Sequence, residues 1–258
     1  MHRTARHDAI LNEVSNAGSC TVAGLASRLD VSGETIRRDI KRLASQGLVR
    51  KVHGGATLPA PLHEASFAQR MGQNAAAKQA IAAAAAAHVA DGETLAFDTG
   101  TTTAYVARAL AGRRDLLVVT NSLDIGRTLA GSGGPGGNRV FMAGGELNAE
   151  LGCALGGSAA AFVSQFRVRT AFLSAGAIDA VDGLTDFDLA EAEFSRALIE
   201  AAERVFVVAD HTKFGKRALV RACAIDRIDV LITDTPPPPE LARKLDQAGV
   251  VVEVALGG

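Results

Sequence analysis

Short polar segments follow several apolar runs in the second part of this 258-residue sequence. The most pronounced is residues 97–103, Phe-Asp-Thr-Gly-Thr-Thr-Thr, which follows a strand-like run and precedes a helical one. Glycine allows a close approach to the backbone, and threonine hydroxyls, backbone amides and a helix amino terminus favour an anion. The segment lacks the spacing and the lysine of a nucleotide-binding P-loop. It therefore predicts a site for a phosphate monoester.

Comparable segments follow other strand-like runs, at residues 120–122, 144–146, 174–179 and 210–213. In open parallel sheets, ligands bind at the carboxyl ends of strands, so we expect these loops to converge on one pocket. A lysine there supplies charge for phosphate, and carboxylates accept hydrogen bonds from sugar hydroxyls. Taken singly, each such residue is more often a helix cap or part of a surface ion pair. The predicted effector-binding residues are Asp98, Thr99, Gly100, Thr101, Thr102, Asn121, Gly145, Gly176, Asp179, Asp210 and Lys213.

A second group of residues, in the first 58 positions, combines a helical pattern with positive charge. Ile36, Ile40 and Leu43 recur at helical spacing, which predicts a buried stripe and turns the basic residues between them outward. Ser32 is placed to cap this helix, and Thr21 is placed to cap the helix before it. In a helix-turn-helix, the second helix enters the major groove of DNA, where arginine pairs with guanine. The predicted DNA-contacting residues are Ser32, Glu34, Thr35, Arg37, Arg38, Lys41, Arg50, Lys51 and His53.

The same basic residues also fit a solvated helix face, in which Arg38 or Arg42 pairs with Asp39 or Glu34. We favour DNA binding because a helix cap, a tight turn, a buried stripe and a basic hairpin occur together in one short unit. Three helices followed by a hairpin at residues 48–58 predict a winged helix-turn-helix domain.

Beyond residue 61 the pattern changes to an alternation of strands and helices. Residues 59–61, Pro-Ala-Pro, predict an extended linker. We predict strands at residues 94–97, 116–120, 140–143, 170–174, 205–209 and 230–233, and helices at 78–90, 103–111, 123–130, 190–202 and 239–248. This alternation predicts an α/β domain with a mainly parallel sheet. The predicted division is an all-α, winged helix-turn-helix domain at 1–58, a linker at 59–75 and an α/β effector-sensing domain at 76–258.

Charge and composition narrow the function further. Residues 1–57 contain nine Lys/Arg and five Asp/Glu and so carry +4, whereas the rest of the chain carries −5. This division favours a polyanionic partner for the first part. Aromatic residues make up only 4%, which disfavours a stacking platform for single-stranded nucleic acid. We expect no metal or other cofactor, because the three cysteines lie far apart and beside no histidine cluster. We also expect a cytoplasmic protein, because no apolar run is long enough to span a membrane.

Residues 31–56 resemble the DeoR family of bacterial transcriptional regulators. The characteristic core, Thr-Ile-Arg-Arg-Asp, stands at residues 35–39, and His-Gly-Gly-Ala stands at residues 53–56. The second half resembles the same family, so the similarity covers nearly the whole chain. The resemblance implies a regulator, usually a repressor of sugar-catabolic genes, whose C-terminal domain senses a phosphorylated sugar. We expect a homo-oligomer on operator DNA, either a dimer or a tetramer, because two such domains can grip successive major grooves.

The second part also resembles ribose-5-phosphate isomerase, whose fold the DeoR sensor domain shares. Residues 99–102 are similar to that enzyme's phosphate loop, and residues 210–213 to its Asp-x-Ser-Lys segment. An enzyme with an added DNA-binding domain is therefore the main alternative. However, the isomerase's Asp-Gly-Ala-Asp motif is replaced here by residues 174–179, Ser-Ala-Gly-Ala-Ile-Asp, and its Lys-Gly-Gly-Gly segment has no counterpart. We therefore expect a sensor that is not an enzyme.

Three alternatives stay open at this level. Either Glu191 or Glu193 matches the region of the isomerase's base. Relatives often carry a lysine shortly after the glutamate, where this chain has Ser195 and Arg196, so the participation of Arg196 in the effector site is undecided. A DNA-architectural protein without a ligand is disfavoured, because the polar loops at the strand ends would then have no role.

Overall fold

The computed structural model describes residues 3–17, 19–45, 48–52, 54–57, 64–132 and 137–255. The chain divides into two compact units, Met1–Pro61 and Leu62–Gly258.

The first unit is built from helices and a small antiparallel sheet. Its elements are α1 (Arg3–Ala17), β1 (Ser19–Thr21), α2 (Val22–Leu29), α3 (Gly33–Ser45), β2 (Arg50–Val52) and β3 (Gly55–Thr57). The strands pair in the order β1-β3-β2. The winged helix-turn-helix prediction is confirmed. The sequence did not predict β1, because three residues are too few to show an alternating pattern.

The apolar stripe of α3 forms the centre of this unit's core. Ile36, Ile40 and Leu43 are each at most 1% exposed and lie in one cluster with apolar residues of α1, α2 and the sheet. Burial of this stripe fixes which side of α3 faces water, and the basic residues of the helix are on that side.

Hydroxyl caps mark the starts of both α2 and α3. Thr21 accepts a hydrogen bond from the Gly24 amide at 3.1 Å, and Ser32 accepts one from the Thr35 amide at 3.2 Å. Between them, Asp30 ends α2 in a left-handed conformation, with φ at 49°. Each cap satisfies an amide that has no partner within its own helix.

One glycine of the wing is required by a close approach of two strands. A Cβ atom on Gly55 would lie 2.0 Å from the carbonyl oxygen of Cys20, on the paired strand β1. The preceding Gly54 has φ at 80°, a conformation that favours glycine. Ala56 is completely buried in the core. Backbone geometry and packing therefore explain residues 54–56 of the family-like run.

Asp39 ties α3 to α1 from a buried position. Its Oδ2 lies 2.7 Å from Nε of Arg6, and its Oδ1 lies 3.1 Å from Nε2 of His7. Burial alone would raise the pKa of Asp39, but the hydrogen bonds from Arg6 and His7 hold it below its usual value. The alternative pairing of Asp39 with Arg38 or Arg42 is wrong, because this carboxylate faces α1.

The second unit is an α/β domain. Its helices are α4 (Phe67–Gly72), α5 (Ala75–Ala87), α6 (Thr101–Ala109), α7 (Leu123–Ala130), α8 (Gly157–Val163), α9 (Leu189–Ala201) and α10 (Pro239–Gln247). Its strands are β4 (Thr94–Phe97), β5 (Leu117–Thr120), β6 (Arg139–Met142), β7 (Glu146–Asn148), β8 (Cys153–Leu155), β9 (Val168–Ser174), β10 (Ala177–Asp179), β11 (Gly183–Asp186), β12 (Ala202–Val208), β13 (Val220–Cys223), β14 (Val230–Thr233) and β15 (Val251–Val254).

Seven of these strands form one parallel sheet, in the order β15-β14-β12-β9-β4-β5-β6. The six predicted strands all lie in it, and the prediction of a mainly parallel sheet is confirmed. The order places the carboxyl ends of β12, β9, β4, β5 and β6 side by side at one edge. The loops that follow these strands are the five polar segments of the sequence.

Helices cover both faces of the sheet because its strand residues alternate between two cores. Leu95 and Phe97 belong to one cluster, which includes apolar residues of α5, α6 and α7. Ala96 belongs to the other, with apolar residues of α8, α9 and α10. Strands that are buried on both faces produce the continuous apolar runs that made them visible in the sequence.

Several elements were not expected. The sequence missed β15, whose run contains Glu253, and the short hairpin strands, which are too brief to show a pattern. It also missed α8, and α4, which lies within residues 59–75. Both are short helices of seven and six residues, so they show little periodicity.

The ion pairs of Asp39 predict a measurable stability effect. We expect D39N to lower the free energy of unfolding of the first unit by about 2 kcal/mol, because it weakens two charge-assisted hydrogen bonds. The pKa of Asp39 is lowered in the folded state, so its contribution is present near neutral pH and is lost as the pH falls below about 4. Differential scanning calorimetry of the full chain at pH 7 and pH 3 measures both effects.

The matched control is E34Q, on the same helix. The pair of Glu34 with Arg37 is 3.5 Å long and exposed, so we expect a change below about 0.5 kcal/mol. Equal effects of D39N and E34Q would contradict the anchoring role of Asp39.

Candidate functional site

A buried carboxyl group joins the ends of the two neighbouring strands β4 and β9. Oδ2 of Asp98 accepts hydrogen bonds from the amide and the hydroxyl of Ser174, at 2.7 and 3.0 Å. Its Oδ1 accepts one from the Thr103 hydroxyl at 3.0 Å. Burial raises the pKa of Asp98 to about 7, although these hydrogen bonds act in the opposite direction. The carboxyl group thus holds the loop 98–100 against the end of β9.

The same loop is locked to the end of β5. The Thr99 hydroxyl donates to Oδ1 of Asn121 at 2.8 Å, and Asn121 donates to the carbonyl of Ala154 at 3.0 Å. Gly100 begins α6 beside Ser174, whose Oγ would lie 2.1 Å from a Cβ atom at this position. Only glycine fits there without displacing a neighbouring strand end.

Lys78 carries a buried positive charge to the amino end of α6. It is 3% exposed, and its Nζ donates to the Thr101 hydroxyl at 2.9 Å and to the Arg70 carbonyl at 2.5 Å. Burial lowers the pKa of Lys78, and the nearby charges of Lys213 and Arg70 act in the same direction, whereas Asp210 opposes them. Within the described residues, no carboxylate is hydrogen-bonded to this ammonium group.

Asp210 positions the helix that carries this lysine. Its Oδ1 accepts hydrogen bonds from the Asn74 side chain at 3.2 Å and from the Thr212 amide at 3.0 Å. Asn74 directly precedes α5, the helix of Lys78. The Asp210 carboxylate therefore connects the end of β12 to α5, and Lys213 follows on the same short turn.

Glu64 joins Lys213 to Arg70. Oε1 of Glu64 accepts a hydrogen bond from Lys213 Nζ, and Oε2 of Glu64 lies 2.7 Å from a guanidinium nitrogen of Arg70. These three side chains are mostly buried. Together with Lys78 they make one end of the site strongly charged.

Carboxyl groups gather at the other end. A small cavity of about 10 Å³, enough for about one water molecule, is lined by Asp98, Thr99, Asn121, Leu155, Asp186, Glu191, Phe194 and Ser195. Burial raises the pKa of Asp186 and that of Glu191. The charge of Glu64 adds to both shifts, and the charge of Asp186 adds to the shift of Glu191. This end can therefore hold protonated carboxyl groups near neutral pH.

The structure decides between the alternatives on α9. Glu191 lines the cavity, whereas Glu193 is exposed. Ser195 also lines the cavity and is 4% exposed. Arg196 is exposed instead and donates a hydrogen bond to the carbonyl of Arg221.

The remaining predicted effector residues are not among those that line the cavity. Thr102 is buried in the first turn of α6, and a Cβ atom on Gly176 would lie 3.0 Å from Cα of Asp186. Gly145 packs behind the cavity, where a Cβ atom would lie 2.4 Å from the Leu155 carbonyl oxygen. Close packing accounts for both glycines.

Asp179 has a structural partner set of its own. It accepts a hydrogen bond from the Asp182 amide at 2.7 Å and pairs with Arg217. Burial alone would raise the pKa of Asp179, but these contacts lower it. Asp179 stabilises the turn between β10 and β11 and is not among the cavity residues.

The residues of the charged end were missed in the sequence. Glu64, Arg70 and Lys78 precede the first strand of the sheet, so no strand-end rule selected them. Asp186 follows a short hairpin strand that the sequence did not reveal. One signal was present: Lys78 is the only charged residue within the alanine-rich stretch 75–87.

Most of the predicted DNA-contacting residues are exposed. Ser32, Glu34, Arg37, Arg38, Lys41 and Lys51 are exposed, and Thr35 is half-buried. In the described part of the chain, no ion pair engages Arg38, Lys41 or Lys51. Arg50 lies on β2, and His53 lies outside the described residues.

The described residues contain neither a cluster of metal-ligand side chains nor a helix that could span a membrane. No group of three or more His, Cys, Asp or Glu side chains there is arranged to hold a metal ion. No helix in those ranges has the length and apolar composition needed to cross a bilayer.

Comparison with known proteins identifies both units. Residues 6–61 match the family model of the DeoR-like helix-turn-helix domain, and residues 73–235 match that of the DeoR C terminal sensor domain. Ribose 5 phosphate isomerase A from Neisseria gonorrhoeae is a structural neighbour with 19% identity and a TM-score of 0.39, covering 54% of this chain and 53% of that chain.

Two relatives from Escherichia coli K12 align along nearly the whole chain. The glycerol-3-phosphate regulon repressor is 35% identical over 254 residues, which cover 98% of this chain and 100% of the relative. The HTH-type transcriptional repressor CsqR is 35% identical over 247 residues, which cover 96% of this chain and 94% of the relative. Since both family models match in chain order and these relatives align over almost their full length, the chain belongs to the DeoR family of transcriptional regulators.

Proposed function

We propose that this chain is a DNA-binding transcriptional repressor of carbohydrate-catabolism genes and that a phosphorylated sugar relieves the repression. The observation that carries the sensor part of the proposal is the buried ammonium group of Lys78. It lies at the amino end of α6 and is hydrogen-bonded to neutral oxygen atoms among the described residues. A buried charge without a bonded counter-ion is costly unless a ligand supplies the opposite charge.

The DNA-binding part of the proposal rests on α3. This helix buries one apolar face and presents Arg37, Arg38 and Lys41 to water, as an element that enters the major groove requires. Its first turn exposes Ser32 and Glu34 at the end that approaches the bases. The wing adds Arg50, Lys51 and His53 as contacts to the flanking backbone.

The effector pocket is proposed to bind a phosphate ester in one orientation. The phosphate lies at the charged end, where Lys78, Lys213 and the amino terminus of α6 favour an anion. Sugar hydroxyls lie at the other end, where Glu191 and Asp186 are partly protonated and can donate or accept hydrogen bonds. Asn121 and Thr99 shape the wall between the two ends.

We propose a sensor without catalytic activity. The relatives are named as repressors. In addition, both carboxyl oxygens of Asp98 already accept hydrogen bonds from Ser174 and Thr103. A group held in this way supports the loop rather than moving a substrate proton. Because one relative is the glycerol-3-phosphate regulon repressor, glycerol 3-phosphate is the first ester to test, followed by hexose and pentose phosphates.

The active species is proposed to be a homo-oligomer, either a dimer or a tetramer, that acts on operator DNA in the cytoplasm. Two DNA-binding units can then occupy repeated half-sites. The ester must bind the DNA-free arrangement more tightly, and a tenfold loss of DNA affinity needs about 1.4 kcal/mol of coupling. Fluorescence anisotropy on DNA from upstream of the protein's own gene, titrated with the phosphate panel, tests the whole proposal.

The DNA-binding surface predicts the behaviour of R38A. We expect at least tenfold weaker binding to operator DNA. The slope of log affinity against log salt concentration should also become smaller by about one, since one guanidinium contact is lost. Anisotropy titrations between 50 and 300 mM salt measure both quantities.

The control is R243A, which removes an exposed arginine of α10 in the second unit. Its DNA affinity should match that of the wild type. If R38A also binds DNA like the wild type, the assignment of α3 to the major groove is wrong.

If Lys78 binds the phosphate, K78M should have opposite effects on thermal stability and on affinity for a phosphate ester. Without a ligand, the thermal midpoint should stay the same or rise, because a buried charge is replaced by an apolar group of similar length. Thermal stabilisation by a phosphate ester should be lost, with affinity at least tenfold weaker.

Differential scanning fluorimetry with and without each ester measures this pair of effects. The control K244M removes an exposed lysine of α10 and should keep the full ligand response. A normal ligand response in K78M would place the phosphate site elsewhere.

The acidic end predicts a pH-dependent stability. The folded-state pKa of Glu191 is raised, so the folded chain holds a proton that the unfolded chain releases above about pH 4.5. The free energy of unfolding should therefore fall as the pH rises from about 5 to about 8. In E191Q this decline should be smaller, because only Asp98 and Asp186 still contribute to it.

Urea denaturation at four pH values measures the slope. E193Q, on the exposed side of the same helix, should keep the slope of the wild type. Identical slopes in E191Q and the wild type would show that Glu191 is ionised in the folded protein.

A further inference from the structure

Glu64 supplies an internal carboxylate to the charged end of the candidate effector site. Its two oxygen atoms bind different cations, Oε1 meeting Lys213 Nζ and Oε2 lying 2.7 Å from Arg70. Glu64 and Lys213 are each 19% exposed and Arg70 is 13% exposed, so this contact is largely withdrawn from water. One carboxylate therefore neutralises two positive charges in the position proposed for the phosphate.

The contacts of Glu64 reach both ends of the site. The carbonyl of its partner Arg70 accepts the hydrogen bond of Lys78 at 2.5 Å, which links Glu64 to the buried ammonium group. At the acidic end, burial is the main cause of the raised pKa of Asp186 and Glu191, and the charge of Glu64 contributes to both. An anion that replaced Glu64 would meet the same surroundings.

Glu64 lies in the segment that joins the two units along the chain. Glu64 is the third residue of the second unit and stands three residues before the start of α4. Ser66 caps that helix, and Nε of Arg70 donates to the Ala65 carbonyl at 3.0 Å. The hydroxyl of Tyr105 donates to the Met71 carbonyl at 3.0 Å. The pairs of Glu64 with Lys213 and Arg70 thus help to hold the segment that joins the two units along the chain.

We propose that Glu64 is an internal competitor of the effector phosphate for Lys213 and Arg70. This inference rests on the proposed function and adds a mechanism of release. A phosphate monoester carries up to two charges and three terminal oxygens, so it can satisfy both cations more fully than one carboxylate. When the ester binds, Glu64 leaves these cations and residues 64–72 lose an anchor.

The competition accounts for both affinity and signalling. An internal ligand lowers the apparent affinity of the site by the fraction of molecules in which the site is open. It also means that the ester binds the open site and not the site that Glu64 occupies. Only such a difference in affinity between two states lets a ligand shift the equilibrium between them. The segment that moves is the one that leads from the DNA-binding unit into the sensor.

The first test is the affinity of the full-length variant E64Q for inorganic phosphate and for sn-glycerol 3-phosphate. Glutamine keeps the shape of the side chain and removes its charge, so we expect both dissociation constants to fall at least fivefold in isothermal titration calorimetry. The control E200Q breaks another glutamate–arginine pair, that of Glu200 with Arg227 at 2.8 Å on the surface, and should bind like the wild type.

The second test uses the wild-type chain, so it does not depend on the folding of a variant. Saturating inorganic phosphate should increase amide hydrogen exchange in residues 66–72 and leave α10 unchanged, because only the first segment loses an anchor. In E64Q the exchange of residues 66–72 should already be fast without phosphate.

The outcomes separate this inference from the function on which it rests. Tighter binding by E64Q together with faster exchange in residues 66–72 supports the competition. If a phosphate ester binds and K78M abolishes the binding, but E64Q binds no more tightly and exchange stays constant, the competition is wrong and the effector site stands. If neither the wild type nor E64Q binds any phosphate, both the site and the competition are overturned.

Discussion

A buried carboxyl group sets the geometry on which the candidate effector site depends. Asp98 accepts hydrogen bonds from the Ser174 amide and hydroxyl and from the Thr103 hydroxyl, which join two strand ends and the first turn of α6. Because these bonds fix where α6 begins, they also fix the position of the Thr101 hydroxyl that receives Lys78. Burial raises the pKa of Asp98 to about 7, so the group that stabilises the loop changes its charge near neutral pH.

Around this loop, basic side chains and carboxyl groups form two neighbouring clusters. Lys78, Arg70 and Lys213 gather around Glu64 near the amino end of α6, whereas Asp186 and Glu191 line the cavity. A phosphorylated sugar has the same polarity, with charge at one end and neutral hydroxyls at the other. We propose that this match orients the ester, because the reversed ligand would bring phosphate against buried carboxyl groups.

The family-like segment of the first unit divides its residues between folding and recognition. Ile36 is buried in the core and Asp39 ties α3 to α1, so these two positions hold the helix. Arg37 and Arg38 stand between them in the chain but face water, where they are available to DNA. Helical spacing alone explained the apolar positions, whereas the anchoring role of Asp39 depends on Arg6, which is distant in sequence.

By itself, the sequence determined the division into a helix-turn-helix and a parallel α/β unit, because apolar periodicity and strand-end polarity are local properties. It also selected the loop 98–103 and Lys213, since polar residues directly after an apolar strand form a local pattern that can be recognised in the sequence. Only the tertiary structure decided that Glu64 contacts Lys213 and that Lys78 reaches the amino end of α6, although both residues precede the sheet. It also showed that Asp179 and Arg196 have hydrogen-bond partners outside the cavity lining. The physical reason is that long-range pairing of charges depends on how helices pack across the sheet edge, and no local pattern records that packing.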